Sequence, residues 1–412
     1  MSFYQVFIVV ALLAKFLVEL ASELLNLRSL RPDLPAELQS FYDSNQYSKS
    51  QEYTKARAWL GIVGSSFDLV LLLVFWFAGG FNWLDRLLRG FNFNGIITGI
   101  LYIGSILLTD VILSIPFSIY GTFVIEEKFG FNRTTARTFV VDRLKAFALS
   151  VALAVPLLAV VLWFFQYAGS FAWLYCWIIS AIFVLILQFV APVWILPLFN
   201  KFTPLSPGEL KDCIFQYAAK VDFAVKDIFV IDGSKRSSKA NAFFTGFGRN
   251  RRIALYDTLI EQHTIPELVA VLAHEIGHQK KKHVLKAIAI GIIHAGIVFF
   301  LMSVFLNNRR LFDAFQMEQV SVYGSLLFFG ILYEPLSFVL SIFLNAFSRK
   351  HEREADSYAA RTVNNMEDMV SALKKLSVKN LSNLTPHRFY VFLHYSHPTL
   401  LQRIDSIRKT PK

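Results

Sequence analysis

Two cysteines in 412 residues, Cys176 inside an apolar run and Cys213 in a polar one, exclude a disulfide framework. Charge is scarce too. Asp, Glu, Lys and Arg make up 17% of the chain, against about 25% in a water-soluble domain, so an ordinary cytosolic enzyme and a disordered polymer are both excluded. There is no internal repeat and no low-complexity tract. What is abundant is apolar: 55% of the residues, including 41 Phe, 15 Tyr and 7 Trp, with a mean hydropathy of +0.47. The net charge of +11 would suit nucleic acid in a soluble protein. In a chain this apolar it is read as basic membrane loops, with no nucleic-acid partner expected.

A bilayer core of about 30 Å takes about 20 apolar residues of helix. Seven such runs are expected, at 3–25, 59–79, 94–123, 145–167, 171–199, 284–306 and 321–347. The first has no basic n-region and carries Lys15 and Glu19 one helical turn apart, so it reads as a retained span and not a signal peptide. Lys and Arg alternate high and low from loop to loop: five in 26–58, two in 80–93, four in 124–144, none in 168–170, thirteen in 200–283, two in 307–320 and twelve after 347. By the positive-inside rule, loop 200–283 and the tail face the cytoplasm. The expected fold is an all-α membrane protein of seven transmembrane helices with a cytoplasmic zincin-like α+β cap. The division is 1–199, five spans; 200–283, a catalytic loop; 284–347, a helical hairpin; and 348–412, a second catalytic segment packing with the loop. Within the loop, Ala240 to Phe244 and Arg251 to Tyr256 read as strands joined by a turn at Gly246, Gly248 and Asn250. Thr264 and Glu267 are spaced as a capping box.

The helix that starts there holds His274-Glu275-Ile276-Gly277-His278, an H-E-x-x-H motif. Residues i and i+4 share a helical face, so both imidazoles reach one metal and Glu275 reaches the attacking water. Zinc suits this set, taking three protein ligands and a water. The third ligand stays open at this point. A metzincin is excluded, because Lys281 and Val284 stand where Gly and His are needed. His283, five residues past His278, faces away from the pair by helix geometry. A carboxylate among Glu352, Glu354 and Asp356 is the better candidate. The two crossings between His278 and Glu352 are even in number, so both groups return to one membrane face.

The seven spans, Glu126-Glu127-Lys128-Phe129-Gly130-Phe131-Asn132, Asn241-Ala242-Phe243, the H-E-x-x-H helix, Glu352 with Asp356 as E-x-x-x-D, and Ser396-His397-Pro398 with Arg403 together resemble the type I integral-membrane zinc CaaX prenyl proteases. The resemblance spans nearly the whole chain. It implies one Zn2+ held by His274, His278 and Glu352, with Asp356 behind a ligand histidine and Arg403 as partner of the ligand carboxylate. It further implies Glu275 as general base, His397 as oxyanion stabiliser, and an edge strand at Asn241, Ala242 and Phe243 that pairs with substrate. Glu354 is expected to be a solvated charge. The family's water-filled chamber between helices would account for Asp68, Asp110, His294 and Glu334 within spans. The implied activity is cleavage near the C-terminus of a membrane-associated peptide, prenylated or otherwise, at the cytoplasmic face of the endoplasmic reticulum. The short loop 307–320 departs from the family and suits a bacterial inner-membrane member that cuts unprenylated peptides. Two alternatives stand beside this: a quality-control membrane metalloprotease resembling the heat-shock family, disfavoured by the seven spans, and a channel or transporter with structural zinc, disfavoured by Glu275.

Overall fold

The computed structural model describes residues 2–245 and 252–411, so the expected turn at Gly246, Gly248 and Asn250 lies outside the described residues. Helices account for most of the chain. α1 (Phe3–Arg28) is capped by Ser2, α2 (Ser44–Phe77) by Asp43 and α4 (Gly95–Tyr120) by Asn94, each side chain accepting from an otherwise unpaired first-turn N–H. The short α3 (Gly80–Arg89) lies between α2 and α4. α4 runs on through a π-helical turn at Gly121–Glu126. α5 (Ala136–Tyr167) and α6 (Ala172–Val190) follow, the latter continuing through a π-helical turn at Ala191–Ile195 into α7 (Leu196–Phe199).

Among the described residues, six helical stretches are long and apolar enough to cross a membrane: Ser44–Phe77, Gly95–Glu126, Ala136–Tyr167, Gly169–Phe199, His283–Phe305 and Val322–Thr362. Seven were expected. The difference is α1, which forms over the expected stretch and is not among the six. Lys15 Nζ lies 2.6 Å from Glu334 and 3.9 Å from Glu19. His294 meets Tyr333 at 2.7 Å. Asp68 and Asp110 share a cavity of about 240 Å³ with Ser105 and Thr109.

The loops expected at 80–93 and 307–320 are in fact helical, at α3 and at α12 (Arg309–Ala314). Together they close one end of the bundle. Trp76, Phe81, Phe312, Phe315 and Phe328 form a buried aromatic cluster there, with Trp76 Nε1 donating to the Ala314 carbonyl at 2.8 Å and Arg86 paired with Glu318.

At the other end lies a four-stranded sheet of order β1-β2-β4-β3: β1 (Phe202–Pro204), β2 (Asp227–Ile231), β3 (Ala242–Thr245) and β4 (Arg252–Tyr256). β2 and β4 are parallel, and β3 pairs antiparallel with β4, as the expected hairpin requires. α11 (His283–Phe305) and α13 (Val322–Thr362) rise from the membrane region, and α13 is one unbroken helix that continues into the cap. Around the sheet and the end of α13 are α8 (Glu209–Lys220), α9 (Asp257–Gln262), α10 (Ile265–Lys280), α14 (Met366–Lys379) and α16 (Leu400–Arg408), while α15 (Arg388–His394) packs on α1 and α13. One apolar core joins Tyr217, Ala273 and Ile276 to Ala359, Val370 and Ile404, so segments 200–283 and 348–412 do pack together.

The Glu126–Asn132 stretch joins the two halves. Glu126 accepts from Tyr53 at 2.6 Å and from Lys239 at 2.9 Å, while Phe131 and Asn132 pair with Ser238 and Ser237. These bonds fix the backbone just ahead of β3.

Candidate metal centre

α10 starts with the Thr264/Glu267 capping box, the Thr264 N–H donating to the Glu267 carboxylate at 2.9 Å. Its Leu268 and Leu272 pack on the sheet and its Ala273 and Ile276 on α13. Gly277 sets how closely the two helices approach. A Cβ there would lie 3.2 Å from the Ala355 backbone and 3.1 Å from the Tyr358 ring, so the absent side chain lets α10 settle on α13 with His274 and His278 opposite Glu352.

His274 Nε2 and His278 Nε2 are 3.1 Å apart. Glu352 Oε2 is 3.5 Å from the first and Oε1 is 3.3 Å from the second. Tetrahedral zinc with bonds of about 2.0–2.1 Å separates its donors by about 3.4 Å, which these distances match. All three donor atoms lie within 4.8 Å of one another. Glu352 Oε2 is buried without a hydrogen-bond partner, a state that costs free energy unless something positive meets that oxygen. The donor set therefore fits the metal.

Asp356, fully buried, accepts from His274 Nδ1 at 2.8 Å. This leaves Nε2 as the free donor. Arg403 was expected beside Glu352. It stands 4.0 Å from Glu352 as an ion pair and also forks onto Asp356 at 2.6 and 2.9 Å, two parallel N–H bonds to one carboxylate suiting a guanidinium.

Two expectations are corrected. α10 ends at Lys280, and Lys282 takes a left-handed conformation at φ 57° before α11 begins at His283. The break turns the His283 ring back, so it does not face away: its Nδ1 lies 3.0 Å from His278 Nδ1. Glu354 is not simply a solvated charge, since its Oε2 lies 3.0 Å from His283 Nε2.

Glu275 stands half-buried beside the histidines, and burial pushes its carboxyl up from the ordinary value. His397 comes from the loop before α16. Its Nε2 lies 3.3 Å from Glu352 Oε1 and its Nδ1 2.9 Å from Ser396 Oγ, and its side chain is 59% exposed, open to an incoming molecule. Asn241 precedes β3 and Ala242 and Phe243 lie within it. Ala242 and Phe244 pack toward the cap core and Phe243 against Tyr256. β3 is an edge of the sheet and packs against α10.

Comparison with known proteins gives a consistent result. Residues 23–201 match the model "CAAX prenyl protease N-terminal, five membrane helices" and residues 204–411 match "Peptidase family M48". The mouse CAAX prenyl protease 1 homolog is 33% identical, covering 91% of this chain and 88% of its own. The probable CAAX prenyl protease 1 of Schizosaccharomyces pombe is 35% identical, covering 92% and 83%. The crystal structure of S. mikatae Ste24p superposes with a TM-score of 0.93 at 31% identity, over 98% of this chain and 99% of that one.

Proposed function

Since the chain belongs to peptidase family M48, with the CAAX prenyl protease N-terminal region ahead of the peptidase region, it is a membrane metalloendopeptidase, and we propose that it cleaves prenylated CaaX peptides with one zinc held by His274, His278 and Glu352. The observation that carries this is the set of three donors at zinc spacing with a buried, unpartnered Glu352 oxygen.

When bound, zinc supplies a Lewis acid for the scissile carbonyl and brings the pKa of a water to about 7. Glu275 takes a proton from the attacking water and delivers it to the leaving amine nitrogen. His397, its Nδ1 accepting from Ser396, directs its Nε2–H at the carbonyl oxygen as negative charge develops. Asp356, fixed by Arg403, holds the proton on His274 Nδ1. The substrate extends along the free edge of β3, with Asn241, Ala242 and Phe243 supplying backbone groups for strand addition.

We further propose that α1 is a seventh crossing. Its Lys15–Glu334 pair then sits between helices, facing a water-filled chamber with His294, Asp68 and Asp110. The Lys and Arg counts support a cytoplasmic cap, which in this reading lies at the endoplasmic reticulum membrane. In this reading residues 200–283 and 348–412 form one catalytic unit on the membrane segments 1–199 and 284–347.

Product mass spectrometry on a farnesylated CaaX peptide and its unprenylated twin tests the substrate. Loss of the C-terminal tripeptide from the farnesylated form alone is expected. Equal cleavage of both would replace prenyl recognition with general membrane-peptide cleavage.

A further inference from the structure

Asp356 accounts for the orientation of His274, yet it makes no contact with His278. Behind His278 stands His283, with the two Nδ1 atoms 3.0 Å apart. The His283 ring is 3% exposed and stacks on His351 at 3.9 Å between centroids and 12° between planes. Its other nitrogen, Nε2, lies 3.0 Å from Glu354 Oε2.

These distances specify tautomers. His278 turns Nε2 toward His274 and Glu352. Its neutral ring therefore carries its proton on Nδ1 when the Nε2 lone pair is given to a metal. That N–H needs an acceptor, and His283 Nδ1 is an acceptor only if the His283 proton sits on Nε2. There it points at the Glu354 carboxylate. Each step fixes the next, from carboxylate to imidazole to ligand.

We propose that His283 is a positioning residue for the metal ligand His278 and that Glu354 acts on the metal only through it. The inference rests on the reading that His274, His278 and Glu352 hold zinc. Under it, α13 supplies each ligand histidine with a carboxylate: Asp356 directly to His274, and Glu354 through an imidazole to His278.

Zinc affinity by chelator competition, and the visible spectrum of the Co2+-substituted full-length protein in detergent, test this without reference to turnover. The parent should bind one zinc and Glu352→Ala should not. A parent that binds none removes the underlying reading, not merely the relay. His283→Phe keeps the ring stacked on His351 but offers no acceptor, and should bind zinc about 10- to 100-fold more weakly with a shifted Co2+ spectrum. His283→Asn places an amide oxygen where Nδ1 stood and should recover most of that loss. It also serves as the folded control should the Phe variant fail to fold. Glu354→Gln should weaken binding about 2- to 10-fold in the parent and have no further effect in His283→Phe. Parental zinc affinity and spectrum in a folded His283→Phe protein, an Asn variant as weak as the Phe one, or additive losses in the double variant would each overturn the relay.

Discussion

Across the most apolar window of Gly169–Phe199 none of the residues is buried, whereas in α10 eight of sixteen are, Glu267 and His274 among them. The first helix is completed by whatever surrounds the protein, lipid or water. α10 is completed by the protein itself, and its buried polar groups have named partners: Glu267 with Lys375 and Ser371, His274 with Asp356. A substitution in that window thus exchanges one environment for another. In the cap it strands a buried partner, which costs far more.

The largest effect should come from Glu275→Gln. The variant is expected to keep its zinc, measured by metal analysis, and to lose hydrolysis about 100- to 10,000-fold. Parental turnover in a zinc-replete variant would remove Glu275 as the base. In the parent, burial raises the Glu275 carboxyl above 4.5, so the base form is lost as pH falls while the pH is still above that value. The acid limb of kcat/KM should sit there, and should be absent from any residual activity of the variant.

His397→Ala should come next, lowering kcat about 10- to 100-fold with KM within about twofold, because its hydrogen bond strengthens only as charge develops. A rise in KM with kcat unchanged would make His397 a substrate-binding group.

Glu267 tests the cap's stability. Burial by itself would raise its pKa, but Lys375, Ser371 and the Thr264 N–H together hold it below 4.5. A carboxyl with a depressed folded pKa contributes stability that is present above its unfolded value and lost as pH falls through the folded one. The thermal midpoint of the parent should therefore fall below about pH 4.5, and Glu267→Gln should start about 1.5–3 kcal/mol lower and depend less on pH. Identical pH curves for the two would mean the capping box carries no such stability.

The smallest effect is expected in the membrane half. Lys15→Met leaves Glu334 alone, yet with water around the pair the cost should stay under about 1 kcal/mol, with zinc content unchanged. A loss nearer the ~2.5–3.5 kcal/mol of a lipid-facing charge would place lipid, not a chamber, beside Glu334.

The parts legible in the sequence are those set by local periodicity. The H-E-x-x-H pair needs only helix geometry, and the apolar runs give α1, α2, α4 to α6, α11 and α13 by length. Glu352 and Asp356 were reachable through the E-x-x-x-D resemblance. His283 was misread because the residue that turns it back, Lys282, has a left-handed backbone without being glycine, and leaves no mark in the sequence. Glu354 was missed with it. Gly277 was readable in hindsight as the small residue of the motif, although a helical glycine gives no hint of what it lies against. α3 and α12 escaped as short amphipathic helices, too brief for a periodic signal, and β1 and β2 are a three-residue and a five-residue strand fixed by long-range pairing.

α13 carries Glu352 thirty residues beyond its start at Val322 on a single helix with Pro335 inside it, a path of about 45 Å. The histidines belong to α10, which the Lys282 turn joins to α11, a different crossing. The three donors therefore sit on the tips of two levers whose shafts are α11 and α13, both long and apolar enough to cross a membrane. A relative tilt of about 1° moves a tip by about 0.8 Å, more than the roughly 0.5 Å within which a preorganised site must be held. Membranes of different thickness tilt their helices differently. Where the two levers meet, Gly277 packs against the Ala355 backbone and Ala273 and Ile276 share a core with Ala359, so that contact is what holds the donor spacing against a tilt of the shafts.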